Sequence, residues 1–107
     1  MRTLRFIVEG QSLKQDPTCD FSGLYPGSEG LLQAEFTFDK KWESAIKVVG
    51  FFSNLGREYE PHLLKDGKTC VIPAEALKNR VFKLRVIGKI GEQKIITNKL
   101  AVDQKGG

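Results

Sequence analysis

The strongest constraint on the fold of this chain is the strict alternation of apolar and polar side chains over residues 31–38. The apolar residues of this segment lie on one side of an extended chain: Leu32, Ala34, Phe36 and Phe38. The polar residues between them lie on the other side: Gln33, Glu35 and Thr37. A period of two is typical of a β-strand with one buried face. The segment therefore predicts a strand.

Six further segments alternate in the same way or are short apolar runs between turn residues: 3–9, 45–53, 58–64, 69–72, 81–89 and 93–102. The turn signals at 54–57 and at Asp66-Gly67 predict hairpins between antiparallel neighbours. Pro73 can begin a helix, so a single helical turn is expected over residues 73–77. Short strands with Gly-containing turns and no long helical period predict an all-β fold, a single immunoglobulin-like antiparallel β-sandwich of about seven strands.

The remaining segments define the extent of the domain. Residues 10–30 are rich in glycine and proline and predict a loop that covers one end of the sandwich. Trp42 follows a turn that Asp39 can cap, and we expect its ring to plug an end of the sandwich. The 107 residues suit one domain. We assign it to residues 1–103 and expect 104–107 to be a flexible tail.

The net charge of +4 is unevenly distributed along the chain. Residues 1–62 carry 7 basic and 9 acidic side chains, a net of −2, and residues 63–107 carry 10 and 4, a net of +6. Such polarity can steer association with an acidic partner. A solvated basic surface without function is the more common explanation of such a charge distribution.

No set of side chains predicts catalysis. His62 is the one histidine, and its neighbours are Pro61 and Leu63, whereas nucleophilic catalysis would need a Ser or Cys beside it and an orienting acid. Glu58 and Glu60 share a strand face, which is more typical of a solvated surface than of paired catalytic acids. Cys19 and Cys70 are far apart in sequence and do not predict a zinc site. We expect no enzyme activity, no metal and no cofactor.

A candidate interface follows if strands 45–53, 81–89 and 93–102 share one sheet. With Val48 and Phe52 inward, the outward face is part basic and part apolar, and its candidate interface residues are Lys47, Phe51, Lys83, Arg85, Ile87 and Lys99. Exposed apolar area beside cations predicts a docking surface. Two alternatives remain: the loop of residues 10–30 covers this face, or the register differs by one residue, which would exchange the two faces. Phe51 alone could stack on a base, so nucleic acid is not an expected partner.

Targeting signals are not evident. The first nine residues alternate like a strand and lack the apolar core of a signal peptide. The longest apolar stretch, 48–52, is far shorter than the roughly 20 residues of a membrane span. We expect synthesis in the cytoplasm and no membrane partner.

The order of several short motifs carries a resemblance to a known family. These motifs are Phe36-Thr37-Phe38-Asp39 followed by Trp42, then Phe51-Phe52, Asn54-Leu55-Gly56, Leu64 to Lys68, Ile72-Pro73-Ala74-Glu75-Ala76-Leu77, Phe82 to Gly88 and Ile96-Thr97-Asn98. Over about residues 30–102 the chain resembles the immunoglobulin-like β-sandwich domains of bacteriophages of Gram-positive hosts, notably the N-terminal domain of upper baseplate proteins.

The resemblance implies a non-enzymatic structural module of a phage virion, in the baseplate, the tail or a capsid decoration. It implies assembly in the host cytoplasm with other virion proteins or with further copies of this chain, so a homo-oligomer is allowed. The alternative is a stand-alone β-sandwich that binds a carbohydrate or a host protein. Trp42, Tyr25 and Tyr59 are the aromatic side chains that such a binding module could present to a sugar.

Overall fold

The computed structural model describes residues 1–106, and Gly107, the last residue of the predicted tail, lies outside the described residues. Its strands are β1 (Arg2–Glu9), β2 (Ser12–Gln15), β3 (Leu32–Phe38), β4 (Ile46–Ser53), β5 (His62–Leu63), β6 (Thr69–Val71), β7 (Val81–Ile90), β8 (Gln93–Ile96) and β9 (Leu100–Asp103). A 3₁₀ turn at Lys40–Trp42 joins β3 to β4, and helix α1 (Ala74–Leu77) precedes β7. The helical turn expected over residues 73–77 is therefore present.

The strands form two sheets that pack into a sandwich, which confirms the predicted all-β fold. Sheet I has the order β2-β1-β3-β6, and sheet II has the order β5-β4-β7-β8, with β9 also paired to β7. The expectation of antiparallel pairing fails at one place, because β1 and β3 are parallel, from Arg2 opposite Leu32 to Val8 opposite Phe38. The long connection from β2 to β3 returns the chain to the end at which β1 began.

Nine strands are present where about seven were expected. One addition is β2, which lies inside the segment 10–30 that was predicted to be loop. The other arises because the predicted strand 93–102 is interrupted between β8 and β9. There the Thr97 hydroxyl, not a backbone carbonyl, accepts the Val86 N–H at 2.9 Å. The Asn98 side chain turns to β2, accepting from Leu13 N at 2.7 Å and donating to Leu13 O at 3.1 Å.

One of the two predicted hairpins is a crossover between the sheets. The turn at 54–57 does fold the chain back on β4, since Ser53 N donates to Arg57 O at 2.8 Å and Phe52 pairs with Glu58. The Asp66-Gly67 turn instead connects β5, which pairs with β4, to β6, which pairs with β3. A turn is present at Asp66-Gly67, as predicted, but the strands on either side of it lie in different sheets and do not form a hairpin.

The core lies between the inner faces of the two sheets and is closed at one end by Trp42, as expected. The Trp42 side chain is fully buried, and its indole N–H donates to Gly10 O at 2.8 Å. The Asp39 carboxylate accepts from Lys41 N at 2.9 Å and so caps the 3₁₀ turn. Gly88 of β7 lies directly against the indole, where a Cβ would come within 2.6 Å of a ring carbon.

The long loop after β2 packs against the domain. Leu24 is buried, and the Phe21 ring meets Phe6 edge-on with centroids 5.5 Å apart. The Arg2 guanidinium donates to the backbone carbonyls of the 20–23 segment. The prediction that this loop covers one end of the sandwich is confirmed.

Two residues of the segment 104–107, which was predicted to be a flexible tail, contact the rest of the domain. Gln104 is 2% exposed, and its side-chain amide donates to Leu77 O at 3.1 Å and to Asn79 O at 2.7 Å. Gly106 N donates to Leu24 O at 2.7 Å. These acceptors lie at the end of α1 and in the long loop after β2. They are distant from residues 104–106 in sequence, so the local sequence could not indicate these contacts.

Candidate functional site

The outer face of sheet II is the surface on which apolar and cationic side chains meet. The pairing of β4 with β7 places Val48 opposite Ile87, Gly50 opposite Arg85 and Phe52 opposite Lys83. Paired residues share a face of the sheet, and successive residues of a strand point to opposite faces. The intervening residues of β7 belong to the core. These three pairs therefore lie on the outer face, and we call the outer face of sheet II the docking face.

Two of the six predicted interface residues are not on the docking face. Phe51 is fully buried in the core, and Lys47 is 8% exposed and lies on the same inner side of β4. The predicted phase of β4 was wrong by one residue, because both phases of its sequence contain large apolar side chains. Gly50 lies on the outer phase of β4, where the Phe52 ring and the stem of Arg85 lie beside its backbone.

The other four predicted interface residues are on the docking face: Lys83, Arg85, Ile87 and Lys99. Lys83, Arg85 and Lys99 lie around Phe52, which the sequence analysis had placed in the core. The Arg85 guanidinium carbon lies 5.2 Å and the Lys99 ammonium 4.2 Å from the centroid of the Phe52 ring. Phe52 is only 2% exposed although it lies on an outer face. Two cations thus cover an aromatic ring, an arrangement stabilised by cation–π attraction and by burial of their aliphatic stems.

An apolar row crosses the docking face beside this cluster. Leu63 of β5 pairs with Val48, Val48 with Ile87, and Ile87 with Ile96 of β8. Leu63 is 50% exposed, and Ile46, two residues before Val48 and on the same face of β4, is 64% exposed. The row spans four neighbouring strands, so its apolar area is continuous. Sequence reasoning missed most of it because the members come from four separate segments.

Cations border the apolar row on both sides. Arg85, Lys83 and Lys99 lie on one side, and on the other Lys89 pairs with Lys94 across β7 and β8. Among residues 1–106, none of these five has a carboxylate oxygen within 4.0 Å, and the Arg85 Nε atom is buried without a hydrogen-bond partner. These five side chains therefore form no ion pair within the described chain.

The outer face of sheet I shows a different charge arrangement. Arg5 Nε lies 3.1 Å from a Glu35 carboxylate oxygen, and Lys14 Nζ lies 2.9 Å from Glu9. Positive and negative side chains alternate there and pair, as on an ordinary solvated surface. The docking face has two carboxylates in strand register: Glu58 opposite Phe52, and Asp103, which pairs with Arg80 at 3.3 Å. The contrast makes sheet II the electrostatically distinct side of the molecule.

The other residues considered in the sequence do not gather into a site. His62 is half-buried at the sheet edge, with its ring edge-on to Phe51 at 5.7 Å. Cys19 and Cys70 are both free thiols, and burial together with the nearby Asp66 charge raises the pKa of Cys70 to about 12. Within residues 1–106, no three His, Cys, Asp or Glu side chains are arranged to hold a metal ion.

The aromatic residues considered for carbohydrate binding are dispersed. Trp42 is fully buried and cannot stack on a sugar. Tyr25 is 61% exposed on the long loop. The Tyr59 hydroxyl accepts from the Asn79 side chain at 3.1 Å, and the ring packs on the core. The helices in the described part of the chain are too short to cross a membrane.

Comparisons with known proteins identified no related protein. No protein family matches the sequence, and no significant match was found among curated proteins or among solved structures.

Proposed function

We propose that this chain is a non-catalytic docking module that binds, through the docking face, a protein surface with carboxylates around an apolar patch. The observation that carries the proposal is the continuous apolar row bordered by five cations that lack carboxylate partners within the described residues. Apolar area supplies the free energy of association, and complementary charge supplies orientation and a faster encounter.

A protein partner suits this face better than a nucleic acid. Single-stranded nucleic acid is bound by aromatic rings that stack on bases. Phe52, the ring of this face, is covered by Arg85 and Lys99 and is 2% exposed. The exposed side chains between the cations are aliphatic, which suits the side chains of a protein.

The docking face is also unsuited to a symmetric contact with a second copy of itself. An isologous interface brings the same patch of both subunits together. Here that arrangement would place two sets of unpaired cations against each other, and like charges across an interface oppose binding. Assembly with further copies would have to join the docking face to a different surface.

The biological setting is proposed from the sequence resemblance alone. We propose that the module holds together components of a bacteriophage virion, in a baseplate, a tail or a capsid decoration, and that it is incorporated in the host cytoplasm.

A titration with designed probes tests the docking function. The first probe is a peptide with two leucines flanked on each side by three glutamates, and the second is a single-stranded DNA oligomer of equal charge. We expect the peptide to shift the amide NMR signals of Val48, Ile87 and Ile96 while those of sheet I remain in place. The double variant Lys83→Glu with Arg85→Glu should bind the peptide at least about tenfold more weakly.

The matched control is the double reversal Arg5→Glu with Lys14→Glu, which changes the net charge equally on sheet I. It should leave peptide affinity within about twofold of wild type. An equal loss of peptide affinity in both double variants would show that the attraction is non-specific and would overturn the proposal. DNA binding that is as tight as peptide binding, with shifts on the same residues, would replace a protein partner by nucleic acid.

A further inference from the structure

The ammonium group of Lys47 lies inside the sandwich without a counter-ion. Lys47 is opposite Gly88 in the β4–β7 ladder and is 8% exposed. Its Nζ donates to Ala45 O at 3.2 Å and lies 5.1 Å from the centroid of the Phe38 ring. No carboxylate oxygen of residues 1–106 lies within 4.0 Å of it. An ammonium has three N–H donors, and a buried cation without a paired anion is costly.

The Lys47 side chain lines a cleft between the two sheets. The cleft has a volume of about 400 Å³, and residues 35–38, Lys47, Gly67 and Lys68 line it. A Cβ on Gly67 would come within 4.0 Å of Lys47 Nζ, so the absence of a side chain there leaves the ammonium accessible from the turn. The Glu35 carboxylate of this cleft is already bonded to Arg5 on the outer face. The charge left in the cleft is therefore positive.

The same cleft exposes an unpaired strand edge. Strand β6 pairs with β3 over 33–35, and Phe36 N donates to Lys68 O at 2.8 Å. Past that bond, among residues 1–106, no strand lies beside this edge of β3. Backbone groups two residues apart in a strand point to the same side. The N–H and carbonyl of Phe38 are therefore directed into the cleft and can pair with another extended chain.

We propose that the cleft binds the free C-terminal carboxylate of an extended peptide. The last residues of the peptide would continue sheet I along the exposed edge of β3, as in β-strand addition. Its terminal carboxylate would accept from Lys47 Nζ and provide the anion that this ammonium lacks. The site uses the inner side of β4, so it is distinct from the docking face on the outer side.

The test compares two forms of one peptide, acetyl-Thr-Val-Thr-Val with a free C-terminal carboxylate and the same peptide with a C-terminal amide. In an NMR titration we expect the acid to shift the amide signals of Thr37, Phe38 and Lys47. Its affinity should exceed that of the amide by about tenfold or more, because a charge-assisted hydrogen bond is lost in the amide. This comparison needs no substitution in the protein.

A substitution provides the second arm. Lys47→Met keeps a long unbranched side chain and removes the ammonium, and it should bind the acid and the amide equally weakly. Lys65→Met, an exposed lysine in the neighbouring turn region, should retain the wild-type preference. Equal affinity of wild type for acid and amide, or shifts that avoid the β3 edge, would overturn the proposal. So would an unchanged preference in Lys47→Met.

Discussion

Replacing Gly88 by alanine tests which side of β7 faces the core. Because β4 pairs with β7, the same substitution tests which side of β4 faces the core. A Cβ at this position would lie 2.6 Å from Trp42 Cζ3, 2.8 Å from Cε3 and 3.0 Å from Ile95 Cγ2. Carbon atoms in favourable contact are about 3.5–4.0 Å apart, so the overlap with the ring is about 1 Å. The indole cannot easily withdraw, because it is fully buried and its N–H is bonded to Gly10 O.

The loss of stability caused by this overlap can be isolated by comparison with a matched control, Gly50→Ala in the neighbouring strand. At Gly50 a Cβ would meet its nearest atoms, in the Phe52 ring, at 3.4 Å, which is close to ordinary contact. Both substitutions reduce the entropy of the unfolded chain similarly, by about 0.4–1 kcal/mol. The difference between the variants therefore isolates the overlap. We expect Gly88→Ala to be less stable than Gly50→Ala by about 1–3 kcal/mol, the usual cost of overpacking a core.

Urea unfolding of both variants measures this difference, with far-UV circular dichroism as the signal. The Trp42→Phe background provides an internal check, since a smaller ring should relieve part of the overlap and reduce the cost of Gly88→Ala. If Gly88→Ala unfolds at the same urea concentration as Gly50→Ala, Trp42 does not lie against Gly88. The inner position of Lys47, which pairs with Gly88, would then be wrong as well.

Two further predictions concern the turn before β6 and the thiol that follows it. Hydrogen bonds from the Thr69 side chain and from the backbone N–H groups of Lys68 and Thr69 lower the pKa of Asp66 to about 2 from 3.8. A lowered folded-state pKa stabilises the fold above the unfolded value and ceases to do so as the pH falls. The stability advantage of wild type over Asp66→Asn should thus shrink between about pH 4 and pH 2 in thermal melts, and a constant difference would contradict the assigned hydrogen bonds. Because burial raises the pKa of Cys70 to about 12, iodoacetamide at pH 8 should alkylate it at least about 100-fold more slowly in the folded protein than in urea, as followed by mass spectrometry. Similar rates in both states would show that the thiol is not buried.

The docking face could be predicted from the sequence only in part. The alternation of β7 is unambiguous, since Phe82, Leu84 and Val86 are apolar and Lys83 and Arg85 are charged, so its outer residues were assigned correctly. Strand β4 has apolar residues in both phases, and hydrophobic periodicity cannot decide its orientation. Phe52 adds a second difficulty, because an aromatic ring is expected in a core unless cations from other strands cover it.

The sequence by itself determined most of the strands and their turns, all but β2 and the break between β8 and β9, because period-two alternation and turn chemistry are properties of neighbouring residues. It determined the capped turn before Trp42 in the same way. Only the tertiary structure decided which strands pair, including the parallel β1–β3 pair, and which side of β4 is buried. Strand pairing and the orientation of β4 depend on contacts between residues distant in the chain. The docking face and the Lys47 cleft depend on such contacts as well. The apolar row takes one residue from each of four strands, and the Lys47 cleft combines β3, β4 and the Asp66-Gly67 turn.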